Sequence, residues 1–245
     1  MIPSGFSYAV DMAYPASSYS EFDWADAVLG YAGGETPHVW SGAEIAVVRS
    51  AGKKYAPIYT VPLDLNVSNW GGIVGQYLSV WAAYKLMVYD LKWTGMLDAM
   101  ALDIEESLWR GQPSAVASLT RAVSASTLAP KIVPVYAAPT HFVNMNRLWA
   151  WHLNWTVSGV IVSGAPAAPS KSDGWYMWQF GGNLRTPGGV AYDADIVSTG
   201  IFSLGDIYNA PEPAPTPVPV PDKIYTGSAS AKVSYNATTN TFTIG

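Results

Sequence analysis

The chain has 245 residues, enough for one large folded domain with a substantial core. Hydrophobic residues make up 49%, charged residues make up 13%, and the net charge is −5, which excludes a disordered chain and a basic nucleic-acid-binding surface. Cysteine is absent, which excludes disulfide bonds, thiolate metal sites and a cysteine nucleophile.

The N-terminal residues 1–5 show neither the basic nor the apolar region of a secretory signal, so we expect no signal peptide. No run of 18 apolar residues is present, and we therefore expect no membrane span and no membrane partner.

Short apolar runs alternate with helix-like segments along the first 210 residues. The strand-like runs are 6–11, 28–32, 55–59, 98–105, 131–136, 157–162, 175–180 and 190–193. Four segments have helix-like patterns. The first begins at Ser41, which forms a capping box with Glu44, and stops at Gly52, and the second covers 72–93. The third includes Val116, Leu119 and Val123, and the fourth covers 142–151. Eight runs of this kind predict a (β/α)8 TIM-like barrel. A doubly wound open sheet is the alternative, but no strand is followed by a glycine-rich dinucleotide or phosphate motif.

The end of the chain differs from this pattern. Proline occupies every second position of 211–221, which is typical of a stiff, extended linker. Residues 222–245 alternate in polarity around 236–240, which predicts a short β-hairpin. We therefore expect a barrel over 1–210, a linker over 211–221 and a small β tail over 222–245 that docks or assembles.

Carboxylates fall at the predicted C-terminal ends of three strands, where barrels of this kind hold their catalytic groups. Asp11 ends the first, Asp103 and Glu105 end the fourth, and Asp193 and Asp195 end the eighth. Residues two apart on a strand share a face, and first and last strands meet in a closed barrel, so these carboxylates should gather at one mouth.

Like charges in close quarters push carboxyl pKa values apart, which provides both a proton donor and an ionised partner for cleavage of a glycosidic bond. The other interpretations of Asp-x-Glu are a chance strand ending or a metal site. His38, His141 and His152 lack metal-ligand spacing, so we expect no metal and no cofactor. A serine hydrolase is disfavoured because the Gly-x-Ser-x-Gly elbow is missing.

The motifs Y-A-V-D (8–11), D-I-E (103–105), W-Q-F-x-G (178–182) and Y-D-A-D (192–195) resemble family 25 glycoside hydrolases, the phage-type N-acetylmuramidases. Residues 30–34, 51–52 and 57–59 are also similar to related glycoside hydrolase-like barrels of actinobacteria and their phages. The resemblance covers about 6–205.

This resemblance implies roles for nine residues. Glu105 would be the general acid, Asp103 would orient the substrate acetamido group or stabilise the charged intermediate, and Asp11 and Asp193 would tune both. The expected substrate-binding residues are Tyr31, Tyr59, Tyr136, Trp178 and Asp195. Two departures stand out: residues 160–164 lack the tryptophan that the family carries on its sixth strand, and Asp195 replaces a more usual asparagine.

Two functions compete. The first is a muramidase-like hydrolase of peptidoglycan, of phage origin. The second is a virion or tail protein with a glycan-binding, weakly active or inactive barrel, whose partners would be virion proteins or other copies through 222–245. Either would be located in a phage virion, or in the host cytoplasm with release to the cell wall. A metabolic enzyme with a phosphate-binding barrel is third, and it lacks an obvious glycine-rich loop after strand seven.

Overall fold

The computed structural model describes residues 2–62, 70–104, 113–137, 150–169, 177–200, 233–236 and 241–244. The chain divides into two compact units, Met1–Ala210 and Pro211–Gly245. Within the described residues, no helix has the length and apolar character needed to cross a bilayer.

The first unit is an eight-stranded closed barrel whose strands follow one another in chain order. The strands are β1 (Phe6–Met12), β2 (Ala27–Gly34), β3 (Lys54–Thr60), β4 (Ala101–Asp103), β5 (Val135–Ala137), β6 (Ala150–Ser158), β7 (Met177–Arg185) and β8 (Ala191–Ser198). The described helices are a short 3₁₀ turn (Ser20–Phe22), α1 (Gly42–Ser50), α2 (Trp70–Asp90) and α3 (Pro113–Ser124).

The capping box predicted before α1 is confirmed. The Ser41 hydroxyl accepts from the Glu44 N–H at 3.3 Å, and the Glu44 carboxylate accepts from the Ser41 N–H at 2.7 Å. These bonds satisfy backbone donors that the first helical turn leaves without partners. Gly52 follows the helix with a φ of +71°, a conformation that favours glycine.

The mixed α/β barrel is confirmed, but the regular (β/α)8 pattern is wrong at its closure. Strands β1 to β7 pair in parallel, whereas β8 is antiparallel to both β7 and β1. The short connection 186–190 joins β7 to β8, and a connection of that length makes an antiparallel pair because a parallel pair needs a longer crossover.

The sixth strand also lies elsewhere than expected. It covers Ala150–Ser158 instead of 157–162, and residues 150–151 of the predicted helix 142–151 belong to it. The rest of that predicted helix lies outside the described residues. The strand forms because Trp151, Leu153, Trp155 and Val157 alternate with polar residues, which is a β pattern.

Inside the barrel, the inward side chains form two layers. The apolar layer encloses a void of about 20 Å³ and consists of Ala27, Leu29, Ala56, Leu97, Ala99, Ala101, Pro134, Met177 and Val197. The polar layer lies nearer the C-terminal ends of the parallel strands and consists of Asp11, Thr60, Asp103, Tyr136, Gln179, Asp193 and Asp195. The larger hydrophobic cluster packs outside the barrel, between strands and helices.

The second unit contains β9 (Val233–Asn236) and β10 (Thr241–Ile244), which pair antiparallel with Tyr235 opposite Phe242. The hairpin predicted for the tail therefore has its two strands. The turn that joins them lies outside the described residues.

Candidate active site

Closure of the barrel brings the first and last strands together, and their carboxylates meet. Asp11 on β1 is the register partner of Asp193 on β8, as the sequence predicted. Asp11 is 5% exposed and Asp193 is half-buried. The two side chains therefore lie between the barrel interior and solvent, where neighbouring charges act strongly on one another.

Gln179 connects these carboxylates to the aromatic residues of the mouth. Its Nε2 donates to Asp11 Oδ2 at 2.7 Å and lies 3.4 Å from Asp193 Oδ2. Its Oε1 accepts from the Tyr136 hydroxyl at 2.7 Å and from Trp155 Nε1 at 2.8 Å. Because Gln179 is 3% exposed and uses both ends of its amide, its orientation is fixed by its partners.

Asp193 is held from a second direction. Its Oδ1 accepts the backbone N–H of Asn183 at 2.6 Å, so the hairpin of β7 and β8 supplies a donor to its own carboxylate. Asn183 has a φ of +53°, a left-handed conformation that asparagine tolerates better than most residues.

Asp195 lies deeper than Asp193. It is fully buried, and its Oδ1 accepts from Trp151 Nε1 at 2.8 Å. Burial is the largest influence and raises the pKa of Asp195 well above its ordinary value. The charge of Asp11, a hydrogen bond with Asp11 and the charge of Asp193 raise it further, against the opposing bond from Trp151. Asp195 was expected to bind substrate; in this structure its side chain has no solvent-accessible surface and does not line the cleft.

Asp103 ends β4 inside the barrel and is 2% exposed. Its Oδ2 accepts from the Thr60 hydroxyl at 3.2 Å, a bond between the ends of neighbouring strands. Leu102 and Ile104 pack in the outer cluster, as the alternation predicted. Glu105, two positions after Asp103, lies outside the described residues.

Two predicted cleft residues, Tyr59 and Trp178, lie on the outer face of the barrel. Tyr59 is buried against α2, where its hydroxyl donates to Gln76 Oε1 at 2.7 Å. Trp178 is 6% exposed and donates to the Asn154 carbonyl at 2.9 Å. Side chains alternate between the two faces of a strand, so the next residues, Thr60 and Gln179, are the ones that point inward.

The other two predicted aromatic residues are at the mouth. The Tyr136 ring packs edge-on against Trp151 at 4.7 Å between centroids. Tyr31 is half-buried within β2 and borders the open cleft.

Trp155 is a mouth residue that sequence reasoning missed. It lies on β6, is 42% exposed, and fixes its indole through the bond to Gln179. Its ring covers Gly182, where an added Cβ would lie 2.0 Å from Trp155 Cε2. The misplaced sixth strand concealed this residue, since the predicted strand 157–162 contains no tryptophan.

An open cleft of about 490 Å³ lies over this end of the barrel. Its lining includes Asp11, Asp193, Tyr31, Asn183 and residues 12–17. The volume is in the range of small-molecule sites, and the walls combine aromatic faces with a few fixed polar groups. The arrangement suits a sugar ring, which offers an apolar face and a polar edge.

No family model matches the sequence, and no curated protein is similar to it in sequence. Solved structures are similar in fold. The catalytic domain of the endolysin ply40 from bacteriophage P40 of Listeria monocytogenes superposes with a TM-score of 0.57 at 13% identity, over 83% of this chain and 97% of that one.

Two further structures are similar to the chain. The Clostridium perfringens spore cortex lytic enzyme SleM has a TM-score of 0.55 at 13% identity, over 82% of this chain and 70% of that one. A muramidase from Acremonium alcalophilum has a TM-score of 0.50 at 13% identity, over 84% and 99%. At this identity the likeness establishes the fold, and the chain therefore has the barrel fold of the lysozyme-like domains that its motifs resemble.

Proposed function

We propose that the chain is a glycoside hydrolase of bacterial cell-wall peptidoglycan. Its reaction would be that of a muramidase, the cleavage of the β-1,4 bond between N-acetylmuramic acid and N-acetylglucosamine. The observation that carries the proposal is the gathering of Asp11, Asp103 and Asp193 in the polar layer of a barrel with an endolysin-like fold. The neighbouring structures named above are an endolysin catalytic domain, a spore cortex lytic enzyme and a muramidase, which supports the same substrate class.

In this proposal, Glu105 donates the proton to the glycosidic oxygen. Its place in sequence supports the role, because Glu105 comes two residues after Asp103, where β4 ends at the polar layer. Asp103 is the partner that orients the acetamido group or stabilises positive charge at the anomeric carbon. Its buried position and the bond from Thr60 fix the carboxylate before substrate arrives.

Asp11 and Asp193 act on these two groups through charge. Gln179 holds both carboxylates, so their negative charges stay at fixed points beside the cleft. Negative charge nearby favours the protonated form of an acid and stabilises an oxocarbenium-like transition state. The same charges therefore assist the proton donor and the reacting sugar.

Trp155 and Tyr31 replace Tyr59 and Trp178 as the proposed sugar-contacting aromatic residues. Tyr31 lines the cleft, and Trp155 is partly exposed beside the polar layer, where it is held by its bond to Gln179. A half-exposed indole with a fixed orientation offers a flat apolar surface without a large loss of side-chain entropy on binding.

Digestion of purified peptidoglycan tests the proposal. The wild-type protein should clear turbid cell-wall suspensions and release fragments whose new reducing ends are N-acetylmuramic acid, identified by borohydride reduction and mass spectrometry. Glu105→Gln should lower the rate by about 100-fold or more, as expected for loss of a general acid. Asp90→Asn, an exposed carboxylate at the end of α2, is the matched control and should digest at the wild-type rate. Equal rates for wild type and Glu105→Gln would refute the proposal.

A finer form of the proposal places the chain in a phage particle, and its alternative is a virion component that binds glycan without cutting it. The proline-rich linker 211–221 and the small tail 222–245 favour this alternative, because the tail is too small for independent stability. Retention on peptidoglycan without release of reducing ends would support it. Unchanged oligomerisation and particle incorporation after deletion of 222–245 would count against it.

A further inference from the structure

Tyr14 is an exposed aromatic side chain at the rim of the cleft. It lies two residues after the end of β1, is 60% exposed and belongs to the cleft lining. It follows Asp11 by three positions, so the Cα atoms of the two residues are no more than about 11 Å apart. Because Tyr14 belongs to neither hydrophobic cluster of the barrel, packing in the core does not account for its ring.

One face of the Tyr14 ring is covered by the imidazole of His38. The two ring centroids are 5.5 Å apart, and the ring planes differ by 24°. Tyr14 lines the cleft and His38 does not, so the face of Tyr14 that is turned away from His38 is the one that borders the cleft. The exposed part of Tyr14 therefore offers a flat apolar surface to whatever occupies the cleft.

The His38 ring is itself held in place. Its Nε2 is hydrogen-bonded to Glu44 Oε1 at 2.9 Å. The other oxygen, Glu44 Oε2, accepts from the Ser41 N–H at 2.7 Å and from the Ser41 hydroxyl at 2.8 Å. The capping box of α1 therefore fixes the ring on which Tyr14 stacks, and a fixed surface loses less side-chain entropy when a ligand binds.

The backbone beside Tyr14 is tied to the neighbouring strand through Trp40. The Trp40 Nε1 donates to the Ala13 carbonyl at 3.3 Å, and the Trp40 backbone N–H donates to the Tyr31 carbonyl at 2.8 Å. Trp40 is 5% exposed, so its surroundings hold both bonds in place. Tyr14 and Tyr31, which line the same cleft, are thus attached to one buried residue.

We propose that Tyr14, stacked on His38, is a further sugar-binding subsite of the cleft. It would take a sugar of the glycan chain close to the one over the carboxylates, with the apolar face of the sugar on the tyrosine ring. His38 is a positioning residue, because it acts through Tyr14. That the reacting bond lies over the carboxylates rests on the proposed hydrolase function.

The charge of the cleft indicates which part of peptidoglycan binds there. Among the described residues that line it, the charged side chains are Asp11 and Asp193, and lysine and arginine are absent. Negative walls repel the carboxylates of a peptide stem and accept the hydroxyl and amide donors of a neutral sugar. The subsite therefore favours an uncharged ring such as N-acetylglucosamine.

Binding of the soluble β-1,4-linked pentamer of N-acetylglucosamine, measured by isothermal titration calorimetry, tests the subsite. Tyr14→Ala should raise the Kd about tenfold, whereas Tyr14→Phe, which keeps the ring, should stay within about twofold of the wild type. His38→Ala should raise the Kd about threefold, and His38→Phe should restore it. Val39→Ala is the matched control, because Val39 is 52% exposed next to His38 and does not line the cleft.

Thermal unfolding of each variant verifies that the barrel is folded. A wild-type Kd for Tyr14→Ala would overturn the inference, and so would the absence of pentamer binding by the wild-type protein at millimolar concentration. Equal weakening by Tyr14→Phe and Tyr14→Ala would also overturn it, because the hydroxyl group and not the ring would then bind the sugar.

Peptidoglycan digestion by the same variants separates the subsite from the proposed function. An active protein in which Tyr14→Ala raises KM about tenfold with little change in kcat would support both. An inactive protein whose pentamer binding depends on Tyr14 would refute the hydrolase function and keep the subsite. An active protein in which Tyr14→Ala changes neither KM nor Kd would refute the subsite and keep the function.

Discussion

The two layers inside the barrel are built by the same strands, yet their chemistry is opposite. On β4, Ala101 faces the apolar layer, and Asp103, two residues later, faces the polar layer. On β8, Val197 and Asp195 stand in the same relation. The apolar layer has small side chains around a void of about 20 Å³, and the polar layer contains carboxylates next to a cleft of about 490 Å³.

Residues that stabilise the fold and residues proposed for chemistry are therefore only two positions apart on the same strand. The apolar layer gains free energy from burial and tolerates no charge. The polar layer accepts unfavourable burial of carboxylates, which is offset by hydrogen bonds from Gln179, Trp151 and Thr60. Substitutions in the apolar layer should therefore lower the stability of the fold, and substitutions in the polar layer should lower activity.

The largest effect on stability is expected from placing a carboxylate in the apolar layer. Ala101→Asp places a charge among the apolar side chains of this layer, and it should destabilise the fold by about 4 kcal/mol or more. Urea denaturation monitored by tryptophan fluorescence measures this change. Ala101→Ser, a small uncharged substitution, is the control and should be much milder. A stable Ala101→Asp protein would contradict the division into layers.

Asp103→Asn should spare the fold and remove activity. The amide keeps an oxygen for Thr60 and deletes a buried charge, so we expect the free energy of unfolding to change by no more than about 1 kcal/mol. Peptidoglycan hydrolysis should fall by about 100-fold, because the carboxylate no longer orients the substrate or balances positive charge. Loss of stability without loss of rate would place Asp103 among the structural residues.

Gly182→Ala should act on the mouth through Trp155. The added Cβ would overlap the indole ring, so the ring must move and the bond to Gln179 Oε1 is strained or lost. We expect KM to rise about tenfold with a smaller change in kcat, since the aromatic surface moves more than the carboxylates. Gly71→Ala, at a helical glycine with open space, is the matched control. An unchanged KM would remove Trp155 from the proposed site.

The smallest effect is expected at Trp178, on the outer face. Trp178→Phe loses the bond to the Asn154 carbonyl and part of the packing of the indole ring, which should cost about 1–2 kcal/mol of stability. Its KM should equal that of the wild type, whereas Trp155→Phe should raise KM. Thermal unfolding and steady-state kinetics on the same samples compare the two tryptophans. Equal effects on KM would restore the original expectation for Trp178.

Much of this fold is predictable from local patterns. The Ser41–Glu44 capping box and the alternation around Asp11 and Asp103 gave the correct elements, because each depends on residues close in sequence. Closure of the barrel followed from the strand count, and it correctly paired Asp11 with Asp193.

The errors came from register and direction. Side chains one residue apart on a strand lie on opposite faces, so Tyr59 and Trp178, to which the resemblance gave substrate contacts, face outward, and their neighbours Thr60 and Gln179 face inward. The direction of β8 depends on whether a crossover fits between β7 and β8, and apolar runs alone do not contain that information. The alternation from Trp151 to Val157 did contain the sixth strand, and it would have revealed Trp155.

The antiparallel pairing of β8 with β1 has a consequence for folding. The bond from Gln179 to Asp11 joins residues 168 positions apart, so the polar layer is complete only after the longest loop of the barrel closes. A chain cut before Ala191 would leave β1 and β7 as unpaired edges, which favour aggregation. The carboxylate cluster is therefore complete only when strands from both ends of the barrel are in place.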